Sequence, residues 1–317
     1  MDPDDAGAAA VAFGLGVPIT GPVVVARGEL GRVWKVATVQ GRFALKEPLA
    51  HIVAPSSAEA AFNVEFQERM LRAGVPLPRP VRGPAGAALI GRWRAYEWAD
   101  LSPFTGPFDL LGAVMARMHA NTPPTDAPSD PWYVDPVLEG TWRTLLARAA
   151  LAAAPWADRV GAVVTELIAA NELLGLADGP RRICHLDVCP DNIGCTPENP
   201  LVIFDWENSG PAAPRHDLGS TIADLLEVDI DPSPLVAGYR RAGGDERAFA
   251  PGDFGQALAH QAHMIELSCQ RALDHPEMGD EVGDRARWRL DRALVKPLTR
   301  LAVDRLVVDL NRRAAWL

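Results

Sequence analysis

The first hundred residues alternate short apolar runs with turns, a pattern typical of antiparallel strands. The clearest turn lies at 27–32 and contains Gly28 and Gly31. Residues 57–73 change to a helical period, with Ser56 or Ser57 as the N-cap. The pattern predicts one helix and a set of strands at 23–26, 33–37, 42–46, 87–90 and 93–98.

Beyond residue 108 the apolar positions recur mainly at helical spacing. One β interruption breaks this region, with a loop at 183–194 and a buried strand at 201–204. We therefore predict an α+β protein with two lobes, a small β-rich lobe at 1–97 and a larger, mostly helical lobe at 98–317, with a cleft near 96–98. The predicted helices of the second lobe are 108–120, 137–151, 156–174, 220–227, 235–242, 254–273 and 285–313.

Composition and charge exclude several classes of function. The 317-residue chain has a net charge of −10, which argues against a nucleic-acid partner. Residues 1–99 carry a net +2 and the remainder −12, so an anionic ligand suits the first part and a cationic ligand the second. The chain begins with acidic residues and has no apolar run of about 18 residues, so we predict a cytoplasmic protein without a membrane partner.

Four cysteines are too few for a disulfide scaffold in a chain of this length. Cys184, Cys189 and Cys195 lie close together beside His185, but their spacing departs from that of zinc loops. Buried, reduced thiols are therefore favoured over a metal site.

The segment from His185 to Asn192 carries the most informative chemistry. It has the form H-x-D-x-x-x-x-N, with Asp187 in the middle, and Asp205 follows thirteen residues after Asn192 at the end of a buried strand. Phosphoryl transfer needs one carboxylate to orient and deprotonate the attacking hydroxyl, and it needs oxygen ligands for Mg²⁺. This set of residue types supplies both, with the spacing logic of a kinase catalytic loop.

These motifs resemble those of the aminoglycoside phosphotransferase and choline kinase-like family of small-molecule kinases. The resemblance continues through Gly210-Pro211 and Asp217-Leu218, and backward through the helix at 111–120, which is similar to an L-A-x-L-H helix. It covers most of residues 25–270 and implies a protein kinase-like fold. Leu186 departs from the family pattern, which usually has glycine there.

The resemblance implies a role for each motif residue. Asp187 is implied to be the catalytic base, and Asn192 and Asp205 are implied to hold Mg²⁺. His185 and Asp217 are implied to support the catalytic loop. The implied phosphoryl donor is ATP, with GTP as an alternative.

Lys46 ends the third predicted strand and resembles the kinase lysine that pairs with the α- and β-phosphates. Only three lysines occur among 31 basic residues, so a lysine at the position that the kinase pattern requires is less readily explained by chance. Its carboxylate partner is expected on the following helix. Glu65 is the first choice, Glu68 the second, and Glu59 stays open.

Two further nucleotide contacts are expected in the first lobe. Gly28 and Gly31 would form a loop whose backbone N–H groups bind phosphates, although a plain hairpin turn has the same sequence signature. The resemblance alone implies that the backbone of Glu97, Trp98 and Ala99 binds the adenine.

The acceptor is predicted to be an aminoglycoside or another amino-sugar, because the second lobe is acidic. Antibiotic resistance is then an expected role of the protein. A neutral sugar, an amino alcohol or an antibiotic of another class fits the motifs equally well, and a catalytically silent nucleotide-binding scaffold is the alternative of a different class.

Only 11 residues separate Asp205 from Asp217, which leaves no room for a protein-kinase activation segment. A monomer and a homodimer are both open. The nominated acceptor-binding residues are Tyr133, Asp224, Glu227, Asp229, Asp231, His263 and Glu266.

Overall fold

Strand-forming and helix-forming sequence separate into two units of the chain. The computed structural model describes residues 3–28, 31–49, 54–176, 179–274 and 281–314. The first unit comprises Met1–Thr105 and Asp191–Ser209, and the second comprises Gly106–Pro190 and Gly210–Leu317. The strands are β1 (Val23–Arg27), β2 (Gly31–Thr38), β3 (Gly41–Pro48), β4 (Pro80–Val81), β5 (Arg94–Glu97), β6 (Ser102–Pro103), β7 (Arg182–Cys184), β8 (Ile193–Cys195), β9 (Val202–Ile203) and β10 (Gly210–Ala212).

The helices are distributed unequally between the units. The first unit contains two, and the second contains the other nine that are described. The fold is thus α+β, with a small antiparallel-sheet lobe and a larger helical lobe, as predicted. The helices are α1 (Pro3–Ala12), α2 (Ser57–Arg72), α3 (Phe108–Ala120), α4 (Pro131–Val134), α5 (Glu139–Leu151), α6 (Ala157–Ala170), α7 (Pro214–Glu227), α8 (Ser233–Arg241), α9 (Gly255–Asp274), α10 (Glu281–Ala293) and α11 (Arg300–Ala314).

The main sheet of the first unit has the order β1-β2-β3-β5-β4, and all its pairs are antiparallel. Side chains alternate between its two faces. Trp34, Val36 and Leu45 are buried on one face in a hydrophobic core that α1 completes through Ala6 and Ala10. The opposite face is therefore left for the polar side chains that follow or precede these residues in sequence.

Helix α2 begins with a capping box. The Ser56 hydroxyl accepts a hydrogen bond from the Glu59 backbone, and the Glu59 carboxylate accepts one from the Ser56 backbone. Two N–H groups that the first helical turn leaves without helical partners are thereby satisfied. The predicted cap at Ser56 is confirmed.

A second, three-stranded sheet in the first unit has the order β6-β8-β9. Strands β8 and β9 form an antiparallel pair in which Ile193 lies opposite Ile203. The backbone N–H of Ile203 donates to the Pro76 carbonyl, 2.9 Å away, which joins this small sheet to the segment that precedes β4.

The second unit is built around α9. A hydrophobic core formed by α5, α6, α9 and α10 includes Trp142, Trp156, Val160 and Ile265. Helices α3 and α8 pack against each other at backbone distance, and β7 pairs with β10. No helix in the described part of the chain is both long and apolar enough to cross a bilayer.

Several predicted elements differ in the structure. The single helix predicted at 285–313 is wrong: α10 ends at Ala293 and α11 starts at Arg300, because Pro297 lies between them and cannot continue a helix. Helix α7 begins at Pro214 rather than at residue 220. The strand predicted at 87–90 is absent: these residues follow a 3₁₀ turn at Pro84–Gly86, and of them Ile90 forms a single bridge with Trp93. Helices α1 and α4 were not predicted.

The division into units also differs from the predicted domain boundary between residues 97 and 98. The first unit continues to Thr105 and takes in Asp191–Ser209, because β8 and β9 pair with β6. Such a return of the chain to an earlier unit leaves no local signal in the sequence.

Candidate active site

Lys46 lies at the centre of a polar cluster on the sheet face opposite α1. Its Nζ donates to Asp205 Oδ1 at 2.5 Å and to Glu207 Oε2 at 2.9 Å. The strand pattern explains this position, because Leu45 points into the core and its neighbour Lys46 must point to the other face. Lys46 and Asp205, two of the predicted site residues, therefore lie in contact within the first unit.

Glu207, which the sequence did not nominate, also belongs to this cluster. Besides Lys46, its carboxylate accepts a hydrogen bond from the Tyr96 hydroxyl at 3.1 Å and lies 3.5 Å from an Arg94 guanidinium nitrogen. Asn63 of α2 donates to the Glu207 backbone carbonyl at 2.8 Å. Arg94 is the register partner of Lys46, so β3 and β5 present both cations on one face.

The charges in this cluster determine its protonation. Burial by itself would lower the pKa of Lys46, but Asp205 and Glu207 outweigh it and raise that pKa well above its ordinary value. Burial raises the pKa of Asp205 to about 7, because the negative charge of Glu207 adds to it and Lys46 offsets only a part. Burial also opposes the ionisation of Glu207, but Lys46, Asp205 and Arg94 together lower its pKa. Lys46 and Arg94 thus stabilise the negative charge that Asp205 and Glu207 share.

Asn192 and Asp205 are brought together by the pairing of β8 with β9. Asn192 immediately precedes β8 and is buried, and Asp205 follows β9 by two residues. The Phe204 N–H donates to the Asn192 carbonyl at 3.0 Å, which continues the ladder beyond the strands. Asp205 itself has left-handed backbone angles, with φ 65° and ψ 58°, a conformation that is uncommon for a non-glycine residue and clusters at functional sites.

The donor chemistry of this group fits a magnesium ion. A carboxylate from Asp205, an amide from Asn192 and the anionic carboxylate of Glu207 are oxygen ligands of the kind that Mg²⁺ takes in phosphate-binding sites. All three residues lie in the same nineteen-residue segment of the first unit.

The predicted catalytic loop directly follows β7, and its residues 185–190 lie in the second unit. His185 is fully buried, and its Nδ1 accepts a hydrogen bond from the Asp187 backbone N–H at 3.2 Å. Asp187 is only partly buried, so its side chain is accessible. Leu186 between them has φ 69°, a left-handed conformation that glycine adopts without cost and leucine does not.

Asp217 holds this strained loop through a buried relay. Its Oδ1 accepts from the Leu186 backbone N–H at 2.8 Å, and its Oδ2 lies 3.0 Å from His119 Nε2. Because a carboxylate only accepts, His119 donates from Nε2 to Asp217, and its Nδ1 lies within hydrogen-bond distance of the Tyr239 hydroxyl, 2.9 Å away. Burial raises the pKa of Tyr239, which keeps its hydroxyl a donor. Asp217 thus contacts the predicted loop, and His119 and Tyr239 extend this hydrogen-bonded group.

Cys184 lies beside this relay and completes a group of residue types that could bind a metal. His119, Cys184 and Asp217 form a buried group with metal-ligand composition among the residues described. Both nitrogens of His119 and both oxygens of Asp217 already have hydrogen-bond partners, and the Cys184 thiol donates to the Ala212 carbonyl at 3.6 Å. The cysteines are free thiols, and this group is a hydrogen-bond network.

The predicted partner of Lys46 on α2 is wrong. Glu65 lies on the exposed face of the helix, while Lys46 pairs with Asp205 and Glu207. Glu68 is bound instead by Arg82, with Nε–Oε1 at 2.7 Å, and Glu59 belongs to the capping box. The buried face of α2 carries Asn63, and it is this residue that reaches the cluster.

The predicted nucleotide contacts of the backbone are narrowed by existing hydrogen bonds. The N–H groups of Glu97 and Trp98 donate to the carbonyls of Arg79 and Arg42, so neither is available to adenine as the strands pair here. The contact of adenine with Ala99 stays a prediction. Gly28 and Gly31 close the β1–β2 hairpin. A Cβ at Gly31 would lie 2.5 Å from the Glu47 carbonyl oxygen, so strand packing by itself requires glycine there. Residues 29 and 30 of this turn lie outside the described residues.

The nominated acceptor residues fall into two groups. Three acids have ion-pair partners: Glu227 with Arg292 at 2.8 Å, Asp231 with Arg313 at 2.8 Å, and Asp229 with Lys296. Asp224 lies on α7 and is partly buried. The second group, around Tyr133, His263 and Glu266, lies where α4 packs against α9.

Comparison with known proteins shows the family of the chain. The model of the phosphotransferase enzyme family matches residues 23–252, which is more than half of the chain. The chain belongs to this family. It is a small-molecule phosphotransferase, which confirms the predicted reaction class. The comparison with curated protein sequences gives no match.

The solved structures that resemble the chain share its fold at low identity. Spectinomycin phosphotransferase in complex with ADP and spectinomycin is 11% identical, with a TM-score of 0.67 over 99% of each chain. An aminoglycoside phosphotransferase from Alicyclobacillus acidocaldarius is 18% identical, with a TM-score of 0.56 over 95% of this chain and 94% of the other. A choline/ethanolamine kinase family protein from Mesorhizobium loti is 19% identical, with a TM-score of 0.52 over 98% and 97%.

Sequence reasoning missed the groups that surround Lys46. Glu207 was visible as the acid two residues after Asp205, but the motif gave it no role. Tyr96 and Arg94 could have been found from strand alternation. They lie two residues apart in β5, so their side chains point to the same face of the sheet, which is also the face of Lys46. Asn63 gives no signal, because its role depends on which face of α2 is buried.

Proposed function

We propose that this phosphotransferase moves the γ-phosphoryl group of ATP onto a hydroxyl group of a small molecule, with Asp187 as the general base. The observation that supports it most is the convergence of Lys46, Asp205 and Glu207, with Asn192 beside them, in the first unit. A cation and oxygen ligands in one cluster match the needs of a metal-bound triphosphate.

The residues of the cluster divide the work of binding. Lys46 is a permanent cation, so it can exchange Asp205 for the phosphates without changing its charge. Glu207, held by Tyr96 and Arg94, keeps the lysine at the site during that exchange. Asn192, Asp205 and Glu207 would hold Mg²⁺. When bound, this ion offsets the negative charge that spreads over the phosphate oxygens.

The catalytic loop orients the acceptor. Asp187 takes the proton of the attacking hydroxyl, and its backbone N–H is fixed to His185. Asp217 fixes the preceding residue through Leu186. A base positioned in this way contributes about 10²- to 10⁴-fold to the rate.

An aminoglycoside or another amino-sugar is the acceptor that we proposed from the acidity of the second part of the chain. That support is weakened, because Glu227, Asp229 and Asp231 are engaged by cations of the chain itself. A sugar, an amino alcohol and an antibiotic of another class therefore belong in the same acceptor panel.

The test is ADP release from the full chain with Mg·ATP and that panel. We expect Asp187→Asn to lower kcat about 10²-fold or more with nucleotide affinity within about twofold, since the base acts during transfer. Asp205→Ala should weaken Mg·ATP binding about tenfold or more, because it removes a metal ligand and frees a buried lysine. Asp191→Asn, an exposed aspartate in the same loop, is the matched control and should change neither quantity.

Two results would contradict the proposal. Equal loss of nucleotide binding in the Asp187 and Asp205 variants would reject the assigned roles. Nucleotide binding without acceptor-dependent ADP release for any member of the panel would favour a nucleotide-binding scaffold.

A further inference from the structure

Four aromatic rings form a shelf in the second unit, which we define as Trp132, Tyr133, His260 and His263. The indole of Trp132 is stacked on the imidazole of His263, with ring centroids 4.9 Å apart and an interplanar angle of 21°. The ring of His260 lies 6.5 Å from Trp132 and 5.8 Å from Tyr133. Trp132, His260 and His263 are each only partly buried, so the shelf presents aromatic surface to solvent or to a ligand.

The shelf begins at the catalytic loop. Tyr133 belongs to the same small hydrophobic cluster as Leu186, the residue before Asp187. On α9, Gln256 donates to the Leu186 carbonyl at 3.5 Å. His260 and His263 follow Gln256 by about one and two helical turns on the same side, that is by about 6 and 10 Å along the helix axis.

The rings are held in place by contacts that do not depend on a ligand. His263 Nε2 donates to the Asp135 carbonyl at 3.1 Å, which fixes the ring in the stack. Asp130 caps α4 by accepting the Trp132 backbone N–H at 2.8 Å, which fixes the start of the helix that carries the indole. A preformed platform loses little conformational entropy when a ligand binds.

Burial of its titratable groups weakens the attraction of the shelf for a multiply charged cation. Burial, with Arg289 and His263 as neighbouring charges, lowers the pKa of His260 to about 4, so this imidazole is neutral at pH 7. Glu266 lies one turn beyond His263, and partial burial raises the pKa of its carboxyl. The exposed acids Glu227 and Asp231, which the sequence suggested for a polycation, are paired with Arg292 and Arg313.

We propose that the shelf binds the acceptor and selects a hydroxylated molecule with a flat apolar or aromatic face and at most one positive charge, in preference to a polycation. Stacking on Trp132 and His263 would place such a molecule along α9, with one end toward Asp187. The inference rests on the proposed function, because only a phosphotransferase has an acceptor. Its test measures ligand binding and does not require turnover.

The experiment compares two neutral probes that differ only in an aromatic ring, phenyl β-D-glucoside and methyl β-D-glucoside, and a polycation, kanamycin. Dissociation constants are measured for the full chain by ligand-observed NMR titration, without ATP. We expect the phenyl probe to bind about tenfold more tightly than the methyl probe, since ring stacking and the buried apolar area add to each other. Kanamycin should bind more weakly than the phenyl probe.

The variants locate the effect. In Trp132→Ala the ratio of the two dissociation constants should fall to about one, whereas in Trp288→Ala, which removes an indole that is 53% exposed on α10, it should stay unchanged. His263→Gln keeps a donor for the Asp135 carbonyl and removes the stacked ring, so it should lower the ratio even if Trp132→Ala does not fold.

Three outcomes would overturn the inference: tighter binding of kanamycin than of the phenyl probe, a wild-type ratio near one, or a ratio that survives both shelf variants. A failure of the proposed function looks different, because the ratio would persist while no acceptor gives ADP release. Conversely, turnover of an acceptor with a ratio near one would leave the kinase assignment intact and reject the shelf.

Discussion

Leu186 combines a backbone cost with a packing gain at the most sensitive point of the catalytic loop. A left-handed φ costs a bulky residue about 1–2 kcal/mol. Two contacts offset it: the Leu186 N–H donates to buried Asp217, and the side chain is 97% buried next to Tyr133, Cys184 and Ala212. Where the family pattern has glycine, this chain fixes the same backbone with an apolar anchor.

The two terms can be separated by truncation of this side chain. Leu186→Ala should destabilise the protein by about 3 kcal/mol, because it leaves a cavity and keeps the left-handed strain. Leu186→Gly should be about 1 kcal/mol less destabilising than the alanine variant, since glycine adopts the conformation freely. Urea denaturation at pH 7 measures both free energies of unfolding.

The order of these two variants is the informative result. At ordinary positions glycine is less stable than alanine, so a glycine variant that unfolds at lower urea concentration than the alanine variant would show that the loop carries no backbone strain.

Helices α3 and α8 illustrate how an element is placed by residues without side chains. A Cβ at Gly112 would lie 2.0 Å from the Leu235 carbonyl oxygen, and one at Gly238 would lie 1.9 Å from that of Asp109. The two glycines let the helix backbones touch. This contact brings His119 of α3 to Tyr239 of α8, and hence completes the relay to the catalytic loop.

Alanine substitution should therefore separate contact glycines from ordinary ones. Gly112→Ala and Gly238→Ala should each destabilise the protein by about 2–4 kcal/mol, because backbone atoms cannot move aside as a flexible side chain can. Gly161→Ala, in the interior of α6 with its nearest contact at 4.0 Å, should instead stabilise by about 0.5–1 kcal/mol. Thermal unfolding of the three variants measures the difference.

The same variants also test the hydrogen-bonded relay from Tyr239 to Asp217. If Gly238→Ala folds, its kcat should fall while its affinity for nucleotide stays near that of the wild type, since the displaced Tyr239 acts on the second unit. Unchanged stability in both contact variants would show that the helices do not approach each other this closely.

At the scale of the whole molecule, acidic charge is used largely for internal pairing. The second unit pairs its acids with arginines on other elements, including Asp109 with Arg241 at 2.8 Å and Arg215 with Asp253 at 2.9 Å, the latter almost fully buried. Exposed pairs of this kind contribute little each, about 0–1 kcal/mol, but a buried one cannot lose a partner cheaply. The net charge of −10 is therefore a poor guide to ligand chemistry.

The titration of His260 predicts how stability depends on pH. Its pKa is about 4 in the folded chain and about 6.5 in the unfolded one, so between these values the unfolded state binds the extra proton. Stability is then lost as the pH falls from about 6.5 to 4, by about 1–2 kcal/mol after allowance for partial exposure of the ring. His260→Gln should show a correspondingly smaller change between pH 7 and pH 5 in urea denaturation. An identical pH dependence in variant and wild type would mean that His260 titrates alike in both states.

The two catalytic motifs and the lysine were predictable because their information is local. The spacing of Asp187 and Asn192 belongs to one loop, Asp205 follows a buried strand, and Lys46 lies in a strand whose alternation fixes its face. The element types followed from the hydrophobic period. The sequence also marks the helix break that the prediction at 285–313 missed, because Pro297 cannot continue a helix.

Tertiary structure decided what local sequence cannot encode, namely which surfaces meet. The rotation of α2 about its axis places Asn63 on the buried face and Glu65 on the exposed face. Lys46 therefore pairs with Asp205 and Glu207 and not with a carboxylate of α2. Contacts between helices distant in sequence paired Glu227 with Arg292 and assembled Trp132 and His263 into one stack. Such pairings depend on the packing of whole elements, because each side chain can choose a partner only after the backbones have been placed.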